Sequence, residues 1–129
     1  QLNIGKLAEQ TLKTMSDGEI QKILLARALA QDTAVVLLDE PSSHLDLYNK
    51  ALLFQQIKQR VKEDQKTILF TSHDLNTAIQ ICDKIILLLK DRWEYGTPDE
   101  LIKKGVFQSV FPKETVGFDP LQKQFRICV

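Results

Sequence analysis

Only five glycines occur in 129 residues, and none stands where a phosphate-cradling loop of the form G-x-x-x-x-G-K-[S/T] would need it. Gly5-Lys6 is the single Gly-Lys pair, and Leu7 follows it where the motif needs a hydroxyl. Cysteine is also scarce. Cys82 and Cys128 fit no C-x-x-C spacing, which argues against a zinc or dithiol centre and is read as two buried thiols in a reducing compartment. Charge of either sign is not in excess: Lys plus Arg and Asp plus Glu are 17 each, so no bulk field draws the chain to nucleic acid or anionic lipid. Apolar runs are short, as in Ile85 to Leu89, far below the ~20 residues of a membrane span. The N-terminus lacks a basic segment followed by an apolar one, so the chain reads as a soluble, unexported polypeptide the size of one domain or a piece of one.

What is present is an α/β alternation. Residues 1–14 carry a weak helical pattern (Leu2, Leu7, Leu12) and read as the tail of an element. Ser16-Asp17-Gly18-Glu19 is a capping box that opens a helix to about Ala30, with Ile20, Ile23, Leu24 and Ala28 as its apolar stripe. A strand is expected at 34–39. Pro41 and the polar Ser42-Ser43-His44 end it, after which Leu47, Ala51, Phe54, Ile57 and Val61 recur at helical spacing. Thr67 to Thr71 is strand-like, Leu75 to Cys82 helix-like and Ile85 to Leu89 strand-like, the β-α-β-α-β order of a parallel sheet covered on both faces. Pro98 after Gly96-Thr97 starts a short helix over 99–104, and two short strands are expected near Val116 to Phe118 and Phe125 to Ile127. The domain reading is 1–104 as one α/β unit and 105–129 as a small appendage.

Chemistry concentrates at strand ends, where ligands of parallel sheets bind. Adjacent carboxylates point different ways, so Asp39 suits a metal ion and Glu40 a water, the division of labour that phosphoryl transfer needs. By itself Asp-Glu-Pro is also an ordinary acidic turn. His73, between Ser72 and Asp74, suits a phosphate oxygen or a water but is equally a turn residue, and Asp74 suits a helix cap. His44 reads as a loop contact. Ser16 and the Gly18 backbone at a helix N-terminus suit an anion, although Asp17 and Glu19 would repel one they faced.

Taken together, Met15-Ser16-Asp17-Gly18-Glu19, Gln21-Lys22, Ala26-Arg27-Ala28, Leu37-Leu38-Asp39-Glu40-Pro41, His44-Leu45-Asp46 and Ser72-His73-Asp74 closely resemble an ATP-binding-cassette (ABC) ATPase from about Thr14 to Leu101. The signature is similar to that of bacterial iron-siderophore, haem and cobalamin importers. The resemblance implies the C-terminal part of a RecA-like parallel-sheet nucleotide-binding domain, with the end of the helical signature subdomain and a C-terminal appendage. It implies ATP and Mg²⁺ as cofactors: Asp39 on the metal, Glu40 as general base, His73 as the switch histidine on the γ-phosphate. Ser16, Gly18 and Glu19 would form the signature, which contacts ATP held by the opposite subunit, and Asp46 would be the acid of the loop crossing that dimer interface. Implied partners are a second ATP-binding subunit, transmembrane permease subunits and, indirectly, a solute-binding protein, at the cytoplasmic face of the membrane, with no nucleic acid.

Departures from the family pattern are visible. Asp17 and Glu19 replace glycine and glutamine, Ser42 replaces a frequent threonine, and the stretch from Ile85 to Gly96 is short for the family's two closing strands. The phosphate loop, the adenine-stacking aromatic and the glutamine loop are absent, so this chain alone is expected not to hydrolyse ATP and to self-associate through an uncovered sheet. Two alternatives stand beside the importer reading: a non-transport ABC ATPase, and a non-catalytic module completed by a partner chain.

Overall fold

A computed structural model describes Gly5 and residues 11–128; the Leu2 and Leu7 part of the early helical pattern lies outside the described residues. The chain divides into two compact units, one ending at His73 and the other beginning at Asp74. The boundary expected at 104/105 falls inside the second of these.

In the first unit a short 3-10 turn, Leu12–Thr14, leads to helix α1, Asp17–Ala30. Ser16 caps it, accepting from the Glu19 amide at 3.4 Å, and Glu19 returns a carboxylate oxygen to the Ser16 amide at 2.9 Å. Strand β1, Val35–Leu38, pairs in parallel with strand β2, Thr67–Phe70, in the register Val35 to Thr67 and Leu38 to Phe70. Helix α2, Leu47–Asp64, connects them, the crossover that parallel pairing requires. Asp46 caps α2 by accepting from the Asn49 amide at 2.8 Å, and Gln65 ends it in the left-handed region at φ 51°. Leu25 of α1, Val36 of β1, and Leu53, Phe54 and Ile57 of α2 are buried, with the Phe54 and Phe70 rings 5.3 Å apart.

Only one face of this small sheet is covered. Val36 is buried, whereas Val35 is 54 % and Leu37 71 % exposed on β1, and Leu69 is 51 % exposed on β2. Alternating side chains point to opposite faces, so this is a two-sided apolar strand with one side bare. For the described residues the general expectation of helices on both faces does not hold, and the bare face is the uncovered sheet that the sequence reading expected of a partial domain. Leu47 and Ala51, assigned to the apolar stripe of α2, face solvent, while Leu53 takes the buried position.

The second unit starts with helix α3, Leu75–Ile81, capped by Asp74, whose carboxylate accepts from the Thr77 amide at 3.2 Å and hydroxyl at 2.9 Å. Strand β3, Ile85–Leu88, does not extend a parallel sheet. It pairs antiparallel with strand β4, Trp93–Gly96, through a hairpin in which the Leu89 amide donates to the Arg92 carbonyl at 2.8 Å. This corrects the expected third parallel strand, and the short stretch up to Gly96 holds both strands of the hairpin.

Helix α4, Pro98–Lys103, has a second capping box, Thr97 with Glu100, and Pro98 in its first turn. Gly105, at φ 71°, ends it: the Gly105 amide donates to Ile102 and the Val106 amide to Leu101, a Schellman closure that needs a left-handed residue. Strands β5, Val116–Asp119, and β6, Gln124–Ile127, form the expected C-terminal hairpin. Leu101 and Phe107 are fully buried, and Phe118 and Phe125 from that hairpin pack around Phe107 at 5.0 and 6.0 Å between ring centres. Asn76 of α3 brackets Phe125, accepting from its amide at 2.7 Å and donating to its carbonyl at 3.3 Å. The cysteines are not the buried pair anticipated: Cys82 is half-buried and Cys128 exposed.

Candidate functional site

β1 ends at Leu38, and the two residues that follow leave the sheet. Asp39 is exposed, and Glu40 enters the left-handed region at φ 43°. A residue with a β-carbon pays roughly 1–2 kcal/mol there, so surrounding bonds must hold it. They do. The Glu40 carbonyl accepts from the Ser43 amide at 3.0 Å and hydroxyl at 2.9 Å, while Pro41 and Ser42 are buried beneath the turn. The Glu40 amide donates to the Thr71 hydroxyl at 3.0 Å. The Thr71 hydroxyl in turn donates to Asp39 Oδ1 at 2.5 Å.

His73 arrives from the end of β2, next to β1. Its Nδ1 lies 2.9 Å from Glu40 Oε1, with the imidazole 84 % and the Glu40 side chain 34 % exposed. An ionised carboxylate only accepts, so the Nδ1 proton donates and Nε2 is the ring nitrogen turned to other work. Parallel pairing thus brings Asp39, Glu40 and His73 to the carboxyl ends of two adjacent strands, as the sequence reading anticipated. Among the described residues no group of three or more His, Cys, Asp or Glu encloses an ion. A single exposed carboxylate such as Asp39 is compatible with Mg²⁺, which takes one or two carboxylates and fills its octahedron with water and phosphate oxygens.

The remaining candidates occupy the helix heads. Ser16, Gly18 and Glu19 sit together at the start of α1, where the Ser16 hydroxyl also donates to Glu19 Oε2 at 2.9 Å. These donations from the Ser16 amide and hydroxyl hold the Glu19 carboxyl below its ordinary pKa. A β-carbon at Gly18 would stand 3.3 Å from the Asn49 side chain, a tight approach that Asn49 would have to relieve by shifting. The head of α1 is therefore close to the first turn of α2, which Asp46 caps. His44 is exposed at φ 65° in the loop between β1 and α2. Asp74 is a helix cap, as its alternative reading had it. Thr71 went unnoticed in the sequence, where it is the last residue of a β-rich run; the parallel offset that sets Leu38 against Phe70 also sets Asp39 against Thr71.

Residues 1–79 match the family model described as "AAA domain, putative AbiEii toxin, Type IV TA system". An uncharacterised ABC transporter ATP-binding protein of Methanocaldococcus jannaschii is 33 % identical over 127 residues, covering 98 % of this chain and 44 % of its own length. The petrobactin import ATP-binding protein FpuC of Bacillus anthracis is 35 % identical over 124 residues, covering 95 % of this chain and 46 % of its own. The zinc import ATP-binding protein ZnuC of Anaplasma phagocytophilum is 34 % identical over 112 residues, with 87 % and 46 % covered.

Among solved structures, a transporter assigned to the metal-chelate ABC type, in an inward-facing conformation, superposes with a TM-score of 0.79 at 32 % identity over 85 % of this chain and 44 % of its own. A dimeric ATP-binding cassette bound to ADP and Pi in a post-hydrolysis state gives 0.61 at 31 % identity, with 70 % and 40 % covered. The chain spans less than half the length of the curated relatives it matches. It belongs to the AAA-domain family of that model and is a homologue of ABC transporter ATP-binding proteins, fitting their C-terminal half.

Proposed function

We propose that this chain is part of the ATP-hydrolysing subunit of an ABC importer, supplying the metal-side carboxylate, the general base and the signature. The observation that carries this reading is the meeting of Asp39-Glu40, after β1, with His73, after the parallel neighbour β2. In the proposed reaction Glu40 accepts a proton from the water that attacks the γ-phosphorus, and His73 orients Glu40 through Nδ1 while presenting Nε2 to the phosphate. Mg²⁺, when bound with ATP, neutralises phosphate charge, and Asp39 is the residue that would hold it, largely through water.

Ser16, Gly18 and Glu19 would serve the nucleotide of a second subunit across an interface that includes Asp46. The dimeric cassette with ADP and Pi among the similar structures supports that arrangement. Permease subunits and, through them, a solute-binding protein are the further partners, at the cytoplasmic face of the membrane. No described helix is long and apolar enough to cross a membrane. In this reading 1–104 is the C-terminal part of the nucleotide-binding domain and 105–129 its appendage. An iron complex is the proposed solute, supported by the petrobactin relative; the zinc relative, at comparable identity, is named for a different cargo.

Hydrolysis needs a backbone cradle for the β- and γ-phosphates, which this sequence lacks. Titration of Mg-ATP into the isolated chain and into the complete subunit tests this division. Saturable binding by the complete subunit alone is expected, and micromolar binding by the isolated chain would contradict it.

A further inference from the structure

Thr71 has no role in the reading above, yet its hydroxyl is used twice. It donates its one proton to Asp39 Oδ1 at 2.5 Å and accepts from the Glu40 amide at 3.0 Å, while the Thr71 amide ties β2 to the Leu38 carbonyl at 3.0 Å. A hydroxyl has one proton to give and oxygen lone pairs to spare, so both bonds coexist: the Asp39 oxygen accepts that proton while the Thr71 oxygen accepts from the Glu40 amide. Glu40 is held at φ 43°, a conformation that it adopts against its own preference. A β-branched residue at a strand end needs no special reason, but valine would meet that need as well, and valine makes neither bond.

We propose that Thr71 is a positioning residue of the hydrolytic site. Its hydroxyl fixes the Asp39 carboxylate and clamps the Glu40 backbone in the left-handed turn from which the Glu40 carboxylate reaches His73. This rests on the hydrolytic reading of Asp39 and Glu40. The clamp acts on the metal-side carboxylate and the water-side base rather than on a phosphate cradle, so its loss should misdirect the chemistry more than it weakens ATP binding.

The test uses the complete ATP-binding subunit with Thr71→Val, Thr71→Ala and Thr71→Ser, reading kcat, the KM for Mg-ATP, and hydrogen exchange of the residue 40 amide without nucleotide. Thr71→Val is expected to lower kcat about 10- to 100-fold with KM changed less than about threefold, and to speed exchange at residue 40. Thr71→Ser, which keeps both bonds, is expected to retain slow exchange and a kcat within about threefold of the parent. Thr71→Ala gives the same reading as Thr71→Val should the valine variant fail to fold.

Wild-type kcat in the valine or alanine variant would overturn the proposal, as would a serine variant as slow as either. Glu40→Gln, measured in parallel, separates the two levels. If turnover does not depend on Glu40, the hydrolytic reading itself fails; if it does while Thr71→Val hydrolyses normally, only the role of Thr71 is lost.

Discussion

Phe107 is fully buried and receives Phe118 at 5.0 Å and, edge-on, Phe125 at 6.0 Å, so one ring joins α4, the turn after it and the C-terminal hairpin. Truncating such a side chain removes its transfer energy and leaves a cavity that the two neighbouring rings fill poorly. Phe107→Ala should lower unfolding free energy by about 3–5 kcal/mol in a urea titration, and a loss below ~1 kcal/mol would contradict this packing. At the candidate site the residue scale works differently. Glu40 and His73 contribute little to a core; both are partly or largely exposed, and the bonds around them constrain direction rather than stability. The strain at Glu40 φ 43° is a stability cost that the Ser43 and Thr71 hydrogen bonds offset.

At the scale of elements, the Ser16–Glu19 box read from the sequence closes in the structure and α1 begins directly after Ser16, whereas α4 runs Pro98–Lys103 instead of the expected 99–104 and closes on a Thr97–Glu100 box that the sequence reading did not name. Pairing was another matter. Ile85 to Leu88 is an apolar run with no internal mark of direction, and four such residues suit a buried parallel strand or one side of a hairpin equally. Burial was misjudged for a related reason: Val35 and Leu37 look like core, but whether a strand's second face is covered depends on chain lying elsewhere. The site was legible because each of its motifs is contiguous; the Thr71 link was not, because it depends on register between strands about thirty residues apart.

The α1 capping box also has a pH signature. Glu19 has its carboxyl pKa lowered from 4.5 by the donations of Ser16, so its ionised form favours the folded helix. That contribution is complete above the unfolded value and is lost as pH falls through the lower folded one. Helix content followed by circular dichroism should therefore separate wild type from Glu19→Gln progressively below pH 4.5, the wild type losing more. Curves that stay parallel through that range would contradict the box. Ser16→Ala removes the cap at every pH and should cost about 1 kcal/mol.

For the whole chain, the decisive feature is apolar surface without cover. Val35, Leu37 and Leu69 form a bare patch on the first unit, and the second unit exposes Ile86, Leu88, Trp93 and Tyr95 on its own hairpin. Contiguous exposed apolar surface of this kind drives association. Light scattering on the isolated chain should give a mass above the 14.8 kDa of one copy, and Leu37→Lys with Leu69→Lys should shift it toward that value. A monomer at high concentration would contradict the expectation.

In the proposed function Glu40 is the base of an ATP-hydrolysing centre assembled at the ends of β1 and β2. Steady-state phosphate release from Mg-ATP by the complete subunit, with Glu40→Gln beside it, tests this most directly. Removing a positioned general base typically costs about 10²- to 10⁴-fold, so turnover in the variant should fall by at least about 100-fold while Mg-ATP still binds. Turnover that survives the change would contradict the account.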